Sequence, residues 1–392
     1  MAEVFPLERI PAPVRAIAGR LREAGHEAWF VGGAVRDVLL EQRRGTAPRR
    51  AGDFDIATSA TPDVVRELFR RTIPVGIEHG TVAVLDEEGG AHEVTTFRQD
   101  IETDGRHAVV RFGVSLADDL ARRDFTINAI AVHSETGALE DPFAGQADLE
   151  AGVVRAVGDP AQRFLEDRLR ILRALRFATV LRFEVEPGTW RALSDQAREL
   201  AHLSRERVRD EWLKTLDADS PGEGVRLWWK AGVLVAVWPE LARLPEAAPG
   251  WLDASDTRDP VLLTATLLWR GEVAPEAAES AVRRLRFSNR DVARVRALVS
   301  ALVDTLPAPG QVRDVRRWLA RHCEVAHDVV AVSEPRSRRA DLLAAVRAIE
   351  AAGLVAGKAM GEVLRLLLDD VLEEPWRNTR EWLLARAEEL AP

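Results

Sequence analysis

The chain has 392 residues, of which 46% are hydrophobic, and its formal net charge is −9 at pH 7. This length predicts about two to four domains, and the acidic balance excludes an overall basic footprint, although a local arginine surface can still bind a nucleic acid. The single cysteine, Cys323, excludes an intrachain disulfide framework and a cysteine-built zinc site. No apolar run approaches the roughly 18–20 residues of a membrane span, and the N-terminus lacks a signal-peptide pattern, so we expect a cytoplasmic protein.

The first predicted elements are a helix over Pro11–Gly25, a strand over Glu27–Val31 and a helix over Ala34–Glu41. Gly32 and Gly33 lie between this strand and the second helix. Because glycine has no Cβ, the backbone N–H groups there can approach a phosphate closely. The N-terminus of the following helix also favours an anion, so the sequence predicts a phosphate site at this turn.

Two carboxylates follow on a second apolar run. The arginine-rich segment Gln42–Gly52 is predicted to be a loop, and a solvated surface loop is favoured over one that contacts RNA. The segment Asp53–Ala57 is predicted to be a strand. Asp53 and Asp55 are two residues apart, so they point to one face of that strand. Such a pair can hold one or two Mg²⁺ ions through hard oxygen ligands. A phosphate site beside paired carboxylates predicts phosphoryl or nucleotidyl transfer.

The next stretch remains mixed in character. Thr61 and Pro62 begin a predicted helix that runs to about Arg70. The segments Thr81–Leu85 and His92–Phe97 are predicted to form a hairpin. Ser115 and Asp118 form a predicted capping box for a helix that continues through Arg123. We therefore expect a mixed α/β N-terminal region up to about Pro142.

From Asp159 onward the periodicity is helical. The longest predicted helix, Pro160–Val180, has apolar residues along one side and a charged stripe along another. We therefore expect an all-α remainder behind the α/β region.

Seven stretches, in this order, resemble the class II tRNA nucleotidyltransferases, the family of the CCA-adding enzymes and bacterial poly(A) polymerases. They run from about Phe30 to Trp212 and read VGGAVRD, DFDIATSATP, IPVGIEHGTVAVL, EVTTFRQD, DDLARRDFTINAIA, DPFAGQADLEAGVVRAVGDPAQRFLEDRLRILRALRFA and HLSRERVRDEW. A lone glycine pair or a lone Asp-x-Asp motif is weak evidence for this family, whereas seven motifs in family order are specific to it.

The resemblance implies an architecture and a reaction. It implies an α/β nucleotidyltransferase head with a mixed β-sheet over residues 1–145, a helical neck for nucleotide selection over 146–216, a helical body over 217–310 and a helical, tRNA-binding tail over 311–392. The reaction would be template-independent addition of C and/or A to the tRNA 3′ acceptor end, from CTP and/or ATP, with Mg²⁺. We expect a monomer without a membrane partner.

The resemblance also assigns site residues. Asp53 and Asp55 would hold the metal ions, with Glu93 as the candidate third ligand. Gly32, Gly33 and Arg36 match the nucleotide-phosphate segment, where we expect Asp37 to hold Arg36 or to cap the helix. The other residues assigned to nucleotide binding are Arg123, Asp124, Glu166, Asp167, Arg170, Arg173 and Arg176.

Asp167 and Arg170 are the predicted base-selecting pair. At helical spacing they are neighbours and would present a carboxylate acceptor beside guanidinium donors, with Glu166 orienting Arg170. Cytosine and adenine both offer an amino donor beside a ring-nitrogen acceptor. Guanine and uracil present a carbonyl oxygen instead, and unpaired buried groups cost roughly 1–3 kcal/mol each. The pair would therefore accept C and A without a template strand.

Alternatives stay open at several levels. Pro74–Val82 resembles the tRNA enzymes more than the poly(A) polymerases. CC-only enzymes lack a flexible loop that Arg98–Phe112 keeps at full length, which disfavours CC-only addition. The loop retains Asp104 and Arg106 but lacks the Tyr and Pro of the family pattern. Complete CCA addition and A-only addition therefore both remain open. The Gln42–Gly52 insertion departs from the family pattern.

Two hypotheses belong to other classes. One is a non-catalytic RNA-binding protein on the same scaffold, which the paired aspartates disfavour. The other is a metal-dependent phosphohydrolase in the C-terminal half, suggested by His327 and Asp328, although only His322 lies nearby as a further ligand.

Overall fold

The computed structural model of the protein describes residues 4–45, 54–103, 108–255, 257–304, 312–332 and 373–390, together with 340–341, 343–344, 346–347, 366–367 and 369–371. The chain divides into two compact units, one of Met1–Thr215 with Arg226–Val237, and one of Leu216–Val225 with Trp238–Pro392. The first unit contains both the predicted head and almost all of the predicted neck. The finer division into four domains stays a prediction.

A seven-stranded mixed sheet forms the frame of the first unit, in the order β3-β4-β5-β2-β1-β8-β9. Its strands are β1 Ala28–Val31, β2 Asp55–Thr58, β3 Thr72–Pro74, β4 Thr81–Leu85, β5 Ala91–Thr96, β8 Ala131–His133 and β9 Leu139–Glu140. Two separate pairs are the antiparallel β6 Arg98–Thr103 with β7 Ala108–Phe112, and the parallel β10 Val153–Val154 with β11 Glu184–Val185. The predicted mixed α/β region is confirmed.

Strand register places the functional end of the sheet. Val31 lies opposite Asp55 on the antiparallel neighbour, and Ile56 lies opposite Val94 on the parallel neighbour. Glu93, one residue before Val94, is therefore adjacent to Asp55. The glycine turn after β1, the first residue of β2 and an acid of β5 consequently meet at one end of three neighbouring strands.

The helices account for most of the remaining described residues. They are α1 Ala12–Glu23, α2 Gly33–Arg44, α3 Pro62–Leu68, α4 Leu116–Ala121, α5 Gly145–Ala151, α6 Pro160–Glu166, α7 Leu169–Leu181, α8 Pro187–Gln196, α9 Arg205–Leu216, α10 Pro221–Lys230, α11 Val233–Val237, α12 Ala248–Asp253, α13 Pro260–Arg270, α14 Pro275–Arg284, α15 Asn289–Val303, α16 Val312–His322, α17 Ala326–Val332 and α18 Arg380–Leu390. Apart from the short β10–β11 pair, the predicted helical remainder is confirmed. No helix in the described ranges is both long and apolar enough to cross a membrane.

Part of the hydrophobic core lies between the sheet and α4. Val31 and Ala57 of the sheet, together with Phe97, are buried against Leu116 and Leu120 of α4. The predicted capping box starts this helix, because the Ser115 hydroxyl accepts the Asp118 N–H while the Asp118 carboxylate accepts the Ser115 N–H. The helix ends at Ala121, two residues earlier than predicted.

The long helix predicted over Pro160–Val180 is wrong. The chain forms α6 and α7 instead, because Asp167 is extended, with φ −148° and ψ 103°. The carboxylate of Asp167 accepts the N–H of Leu169 at 3.0 Å, and such local bonding by aspartate competes with helix continuation. Helical periodicity on both sides of the break concealed it.

The predicted loop Gln42–Gly52 is partly wrong. Helix α2 continues to Arg44, where Arg43 donates to Gln146 O and Arg44 donates to Leu181 O. These two arginines are therefore used in packing α2 against α5 and the end of α7. Residues 46–53, and with them Asp53, lie outside the described residues, as do Asp104 and Arg106.

The helices of the second unit give the His327-Asp328 hypothesis no support. Asp328 accepts from Arg294 at 2.7 Å, and His322 pairs with Asp304 at 2.9 Å. Across the described part of the chain, no group of three or more His, Cys, Asp or Glu side chains is arranged to hold a metal ion.

Candidate active site

A cavity of about 570 Å³ lies in the first unit, against the functional end of the sheet. Eight arginines and five carboxylates line it. The predicted residues among its lining are Gly32, Gly33, Arg36, Asp55, Glu93, Arg123, Asp124, Asp167, Arg170, Arg173 and Arg176. Glu166 lies behind the lining, in contact with Arg170. Residues dispersed over more than 140 positions of sequence thus share one space of nucleotide size.

Gly32 shapes the sheet end of the cavity. Its backbone has φ +89° and ψ −158°, a region essentially restricted to glycine. A Cβ at this position would lie 2.8 Å from Oδ2 of Asp55. Glycine is therefore required both by the backbone and by the approach of the Asp55 carboxylate. Gly33 is the first residue of α2 and lines the cavity with Gly32, so the first N–H groups of this helix, which have no partner within the helix, lie beside the cavity.

Asp55 and Glu93 are the described carboxylates that fit a divalent cation at this end. Both line the cavity, and strand register makes them neighbours. Carboxylate oxygens are the ligands that Mg²⁺ prefers.

Arg36 is oriented by two partners. Its side chain is buried, with the residue only 7% exposed. Nε donates to Asp37 at 2.8 Å, which confirms the expected pair, and Nη1 donates to Asn128 Oδ1 at 2.7 Å. The guanidinium group is therefore held at the cavity wall one turn after the glycines.

Asp124 is fully engaged by the protein. Its Oδ2 accepts from Nε of Arg173 at 2.7 Å, and its Oδ1 accepts from the Asn128 amide and the Phe125 N–H. Burial opposes the charged form, but Arg173 and these hydrogen bonds hold the pKa of Asp124 below its ordinary value. Asp124 is therefore an ionised anchor for α7.

Asp119, which the motif analysis did not single out, organises the two adjacent arginines. It is buried, accepts from Arg122 at 2.9 Å and lies 3.6 Å from Nη2 of Arg123. The backbone N–H of Arg98, the first residue of β6, also donates to it. Burial lowers the pKa of Arg123, since desolvation of the cation outweighs the attraction of Asp119. The sequence feature that could have identified Asp119 is its position in the stretch DDLARRDF, together with Arg122 and Arg123.

Arg170 is held in one orientation at the helical end of the cavity. Nη1 donates to Glu166 Oε2 at 3.0 Å, so the predicted ion pair is present, and Nη2 donates to Arg122 O at 2.9 Å. A second Nη1 bond goes to Arg163 O at 3.2 Å. These hydrogen bonds fix the Arg170 side chain before any ligand binds, so ligand binding would not have to restrict its rotamers.

Asp167 lies in the break before α7, so helical spacing does not set its geometry relative to Arg170. Its Oδ2 accepts from Nη2 of Arg207 at 2.8 Å, while Oδ1 accepts from Leu169 N–H. Arg207 belongs to α9 and also lines the cavity. Sequence reasoning missed it, although it stands in the quoted stretch HLSRERVRDEW.

Family models and known proteins match this chain. Residues 28–155 match the family model of the poly A polymerase head domain, and residues 182–244 match the model of a probable RNA and SrmB-binding site of polymerase A. The CCA-adding enzyme of Bacillus velezensis is 39% identical over 306 residues, which make up 76% of this chain and 74% of that protein. The chain belongs to the CCA-adding enzyme family.

Other family members match over a shorter part. The CCA-adding enzyme of Levilactobacillus brevis is 46% identical over 224 residues, 56% of this chain and 54% of that protein. That of Limosilactobacillus fermentum is 46% identical over 215 residues, 54% of this chain and 52% of that protein. The matched part therefore spans about half the length of these two relatives.

Solved structures of the family are similar over nearly the whole chain. The Bacillus stearothermophilus CCA-adding enzyme in complex with CTP has a TM-score of 0.72 and 31% identity, covering 96% of this chain and 97% of the other. The Thermotoga maritima CCA-adding enzyme complexed with tRNA-CCA has a TM-score of 0.65 at 20% identity, covering 99% and 100%. At 20% identity, the similarity to the Thermotoga maritima structure shows a common fold.

Proposed function

We propose that this protein adds C and A to the 3′ end of tRNA, without a template, from CTP and ATP. The observation that carries the proposal is the cavity itself. One space of about 570 Å³ is lined by the glycine turn and two carboxylates of the sheet, and by Asp167 and Arg170 from the helical part of the first unit. Phosphates and a base are the two chemically distinct ends of a nucleoside triphosphate, so the sheet side and the helical side of the cavity suit the two ends of this substrate.

Asp53, Asp55 and Glu93 would hold Mg²⁺ at the sheet end. Asp55 and Glu93 support this assignment by lining the cavity on adjacent strands. When bound, the metal would supply Lewis-acid chemistry for attack by the tRNA 3′-hydroxyl and would offset triphosphate charge. The protein's own contribution there is to fix the carboxylates against the Gly32 turn.

The triphosphate would lie along the arginine wall. Backbone N–H groups at Gly32 and Gly33 suit phosphate oxygens, and Arg36, Arg123 and Arg173 bring positive charge to the same wall. Their carboxylate and amide partners hold them before the nucleotide arrives. Preorganised charge of this kind costs little rearrangement during the reaction.

Asp167 and Arg170 would select the base. Arg207 orients the Asp167 carboxylate, and Glu166 orients Arg170. The amino group of cytosine or adenine would meet the carboxylate, and the neighbouring ring nitrogen would meet an Arg170 N–H. Guanine and uracil would place oxygen against carboxylate, which explains why a protein surface can replace a template strand.

The relatives support a wider assignment to the chain. We propose that residues 1–145 form the catalytic head, 146–216 the nucleotide-selecting neck, 217–310 the body and 311–392 the tRNA-binding tail. The tRNA substrate argues for a cytoplasmic protein, and we propose that it acts as a monomer.

The direct test uses three tRNA transcripts that end before CCA, after C and after CC, with Mg²⁺ and CTP, ATP or both. Full extension of the shortest transcript is expected. Addition of A to the CC end alone would restrict the proposal to an A-adding enzyme, and addition to the first two transcripts that stops at CC would restrict it to a CC-adding enzyme. An unstructured RNA oligonucleotide serves as the control, because its extension with ATP into long tails would indicate a poly(A) polymerase. Retained tRNA binding without any incorporation would overturn the proposal in favour of a non-catalytic RNA-binding protein.

A further inference from the structure

Three guanidinium groups converge on one aromatic ring in the cavity wall. Phe177 of α7 is 5% exposed and lines the cavity. The guanidinium carbons of Arg36, Arg173 and Arg176 lie 4.9, 5.3 and 4.0 Å from its ring centroid. Phe125 packs against the same ring edge-on, with centroids 5.7 Å apart. The ring is therefore the shared contact of three cations from two helices.

Each of the three guanidinium groups also has a carboxylate partner. Arg36 pairs with Asp37 at 2.7 Å, Arg173 with Asp124 at 2.6 Å and Arg176 with Glu211 at 2.6 Å. These carboxylates balance the charge of the cluster, but they belong to three separate segments of α2, the loop after α4, and α9. No single ion pair therefore sets how the three arginines lie relative to one another.

The like charges in this cluster act on one another. Burial lowers the pKa of Arg176, and the neighbouring Arg173 and Arg36 lower it further, against the opposing attraction of Glu211. The negative face of an aromatic ring attracts a cation within about 6 Å of its centroid. An aliphatic side chain of similar volume would fill the same space without this attraction. The aromatic character of residue 177 thus offsets part of the repulsion.

The arginines around the ring connect the two ends of the cavity. Arg36 is in the first turn of α2, directly after the glycine turn. Arg173 lies three residues after Arg170, the base-selecting arginine, on the same helix. Phe177 therefore contacts one arginine that follows the glycine turn and two that follow Arg170 on α7.

We propose that Phe177 is a positioning residue for the nucleotide, acting as a common cation–π platform that sets Arg36, Arg173 and Arg176 as one phosphate-binding surface. This inference rests on the proposed function, because it assumes that the cavity takes a nucleoside triphosphate. Its consequence is that electron density in the ring, as distinct from ring volume, controls nucleotide affinity.

The experiment replaces Phe177 in the full chain by mono-, di- and trifluorophenylalanine. Fluorination keeps the ring shape nearly constant while progressively removing the negative potential of its face. KM for both CTP and ATP is expected to rise stepwise, by about tenfold for the trifluoro ring, with kcat within about twofold and the choice between C and A unchanged. Direct equilibrium binding of CTP should weaken in the same order.

Phe164 provides the matched control. It is a fully buried ring on α6 that is not among the cavity-lining residues, so the same fluorinated series there should leave KM unchanged. As a second comparison, Phe177→Leu should raise KM at least as much as the trifluoro ring, whereas Phe177→Tyr should largely retain affinity.

The outcomes separate this inference from the proposed function. If KM stays constant along the fluorinated series at Phe177, or rises equally along the series at Phe164, the platform is overturned while nucleotide addition stands. If the unmodified protein adds nothing to tRNA but its CTP affinity falls along the series, the proposed reaction fails and the platform stands.

Discussion

The two ends of the cavity are built in different ways. At the sheet end the backbone determines position, because strand register and the conformation of Gly32 bring Asp55 and Glu93 together. At the helical end side chains determine position, through the pairs of Arg170 with Glu166 and of Asp167 with Arg207.

This difference predicts different consequences of substitution. A strand register cannot adjust to a lost ligand or an added methyl group without moving several residues. Ion pairs between partly exposed side chains can rearrange, and each is worth little by itself. We therefore expect changes at the sheet end to remove the chemistry, and changes at the helical end to alter nucleotide affinity and choice.

Asp55→Ala should have the largest effect. Loss of a metal ligand removes several kcal/mol of transition-state stabilisation, so kcat for nucleotide addition should fall at least ~10³-fold, while tRNA affinity stays within about threefold. Asp53→Ala should behave in the same way. Single-turnover extension and filter binding measure the two quantities.

Asp63→Ala is the control for these aspartates. Asp63 is an exposed acid in the first turn of α3, and its removal should leave kcat unchanged. Persistent activity of Asp55→Ala would show that the metal assignment is wrong.

Gly32→Ala tests the backbone at the sheet end. The positive-φ backbone conformation of residue 32 should cost ~1–3 kcal/mol of stability when it carries a Cβ, and displacement of the Asp55 carboxylate should lower kcat about 100-fold. Thermal unfolding and extension assays give both values. Gly19→Ala is the matched control, since Gly19 lies within α1 with nothing near its Cβ position. A Gly32→Ala enzyme with full activity would remove the steric argument.

Arg170→Ala and Arg207→Ala test the helical end. Without the Arg170 donors, discrimination against GTP and UTP should fall about tenfold. Arg207→Ala should give a smaller loss, about threefold, because Asp167 keeps its bond to the Leu169 N–H. The measurement is incorporation of each nucleotide on the transcript that ends before CCA.

Arg209→Ala controls for general damage to α9, because Arg209 pairs with the adjacent Asp210. Unchanged nucleotide preference in Arg170→Ala would contradict base selection by this pair. An equal effect in Arg209→Ala would contradict the specific role of Arg207.

A separate effect, on stability and not on activity, is expected from pH acting on Asp124. Its pKa is lowered in the folded protein from an unfolded value of about 3.9. The unfolded chain therefore binds more protons as pH falls through this range, so the contribution of Asp124 is full above about pH 4 and decreases below it. The stability difference between the wild type and Asp124→Asn should be ~2 kcal/mol near neutral pH and shrink in acid. Thermal unfolding across pH measures it, and a constant difference would contradict the assignment.

The sequence by itself determined the features that depend on nearby residues. It predicted the α/β region and the helical remainder, the glycine turn before α2, the Ser115 capping box, and the pairs of Arg36 with Asp37 and of Glu166 with Arg170. In the turn, the capping box and the two pairs the partners are at most four residues apart, and the type of each region follows from strand alternation or helix periodicity along one segment.

Only the tertiary structure decided which distant side chains complete the site. Asp124 meets Arg173 across 49 residues, Asp167 meets Arg207 across 40, and Arg36 meets Asn128 across 92. The convergence of three arginines on Phe177 belongs to the same class. The physical reason is that such contacts depend on how separate elements pack against one another, which no local period in the sequence specifies.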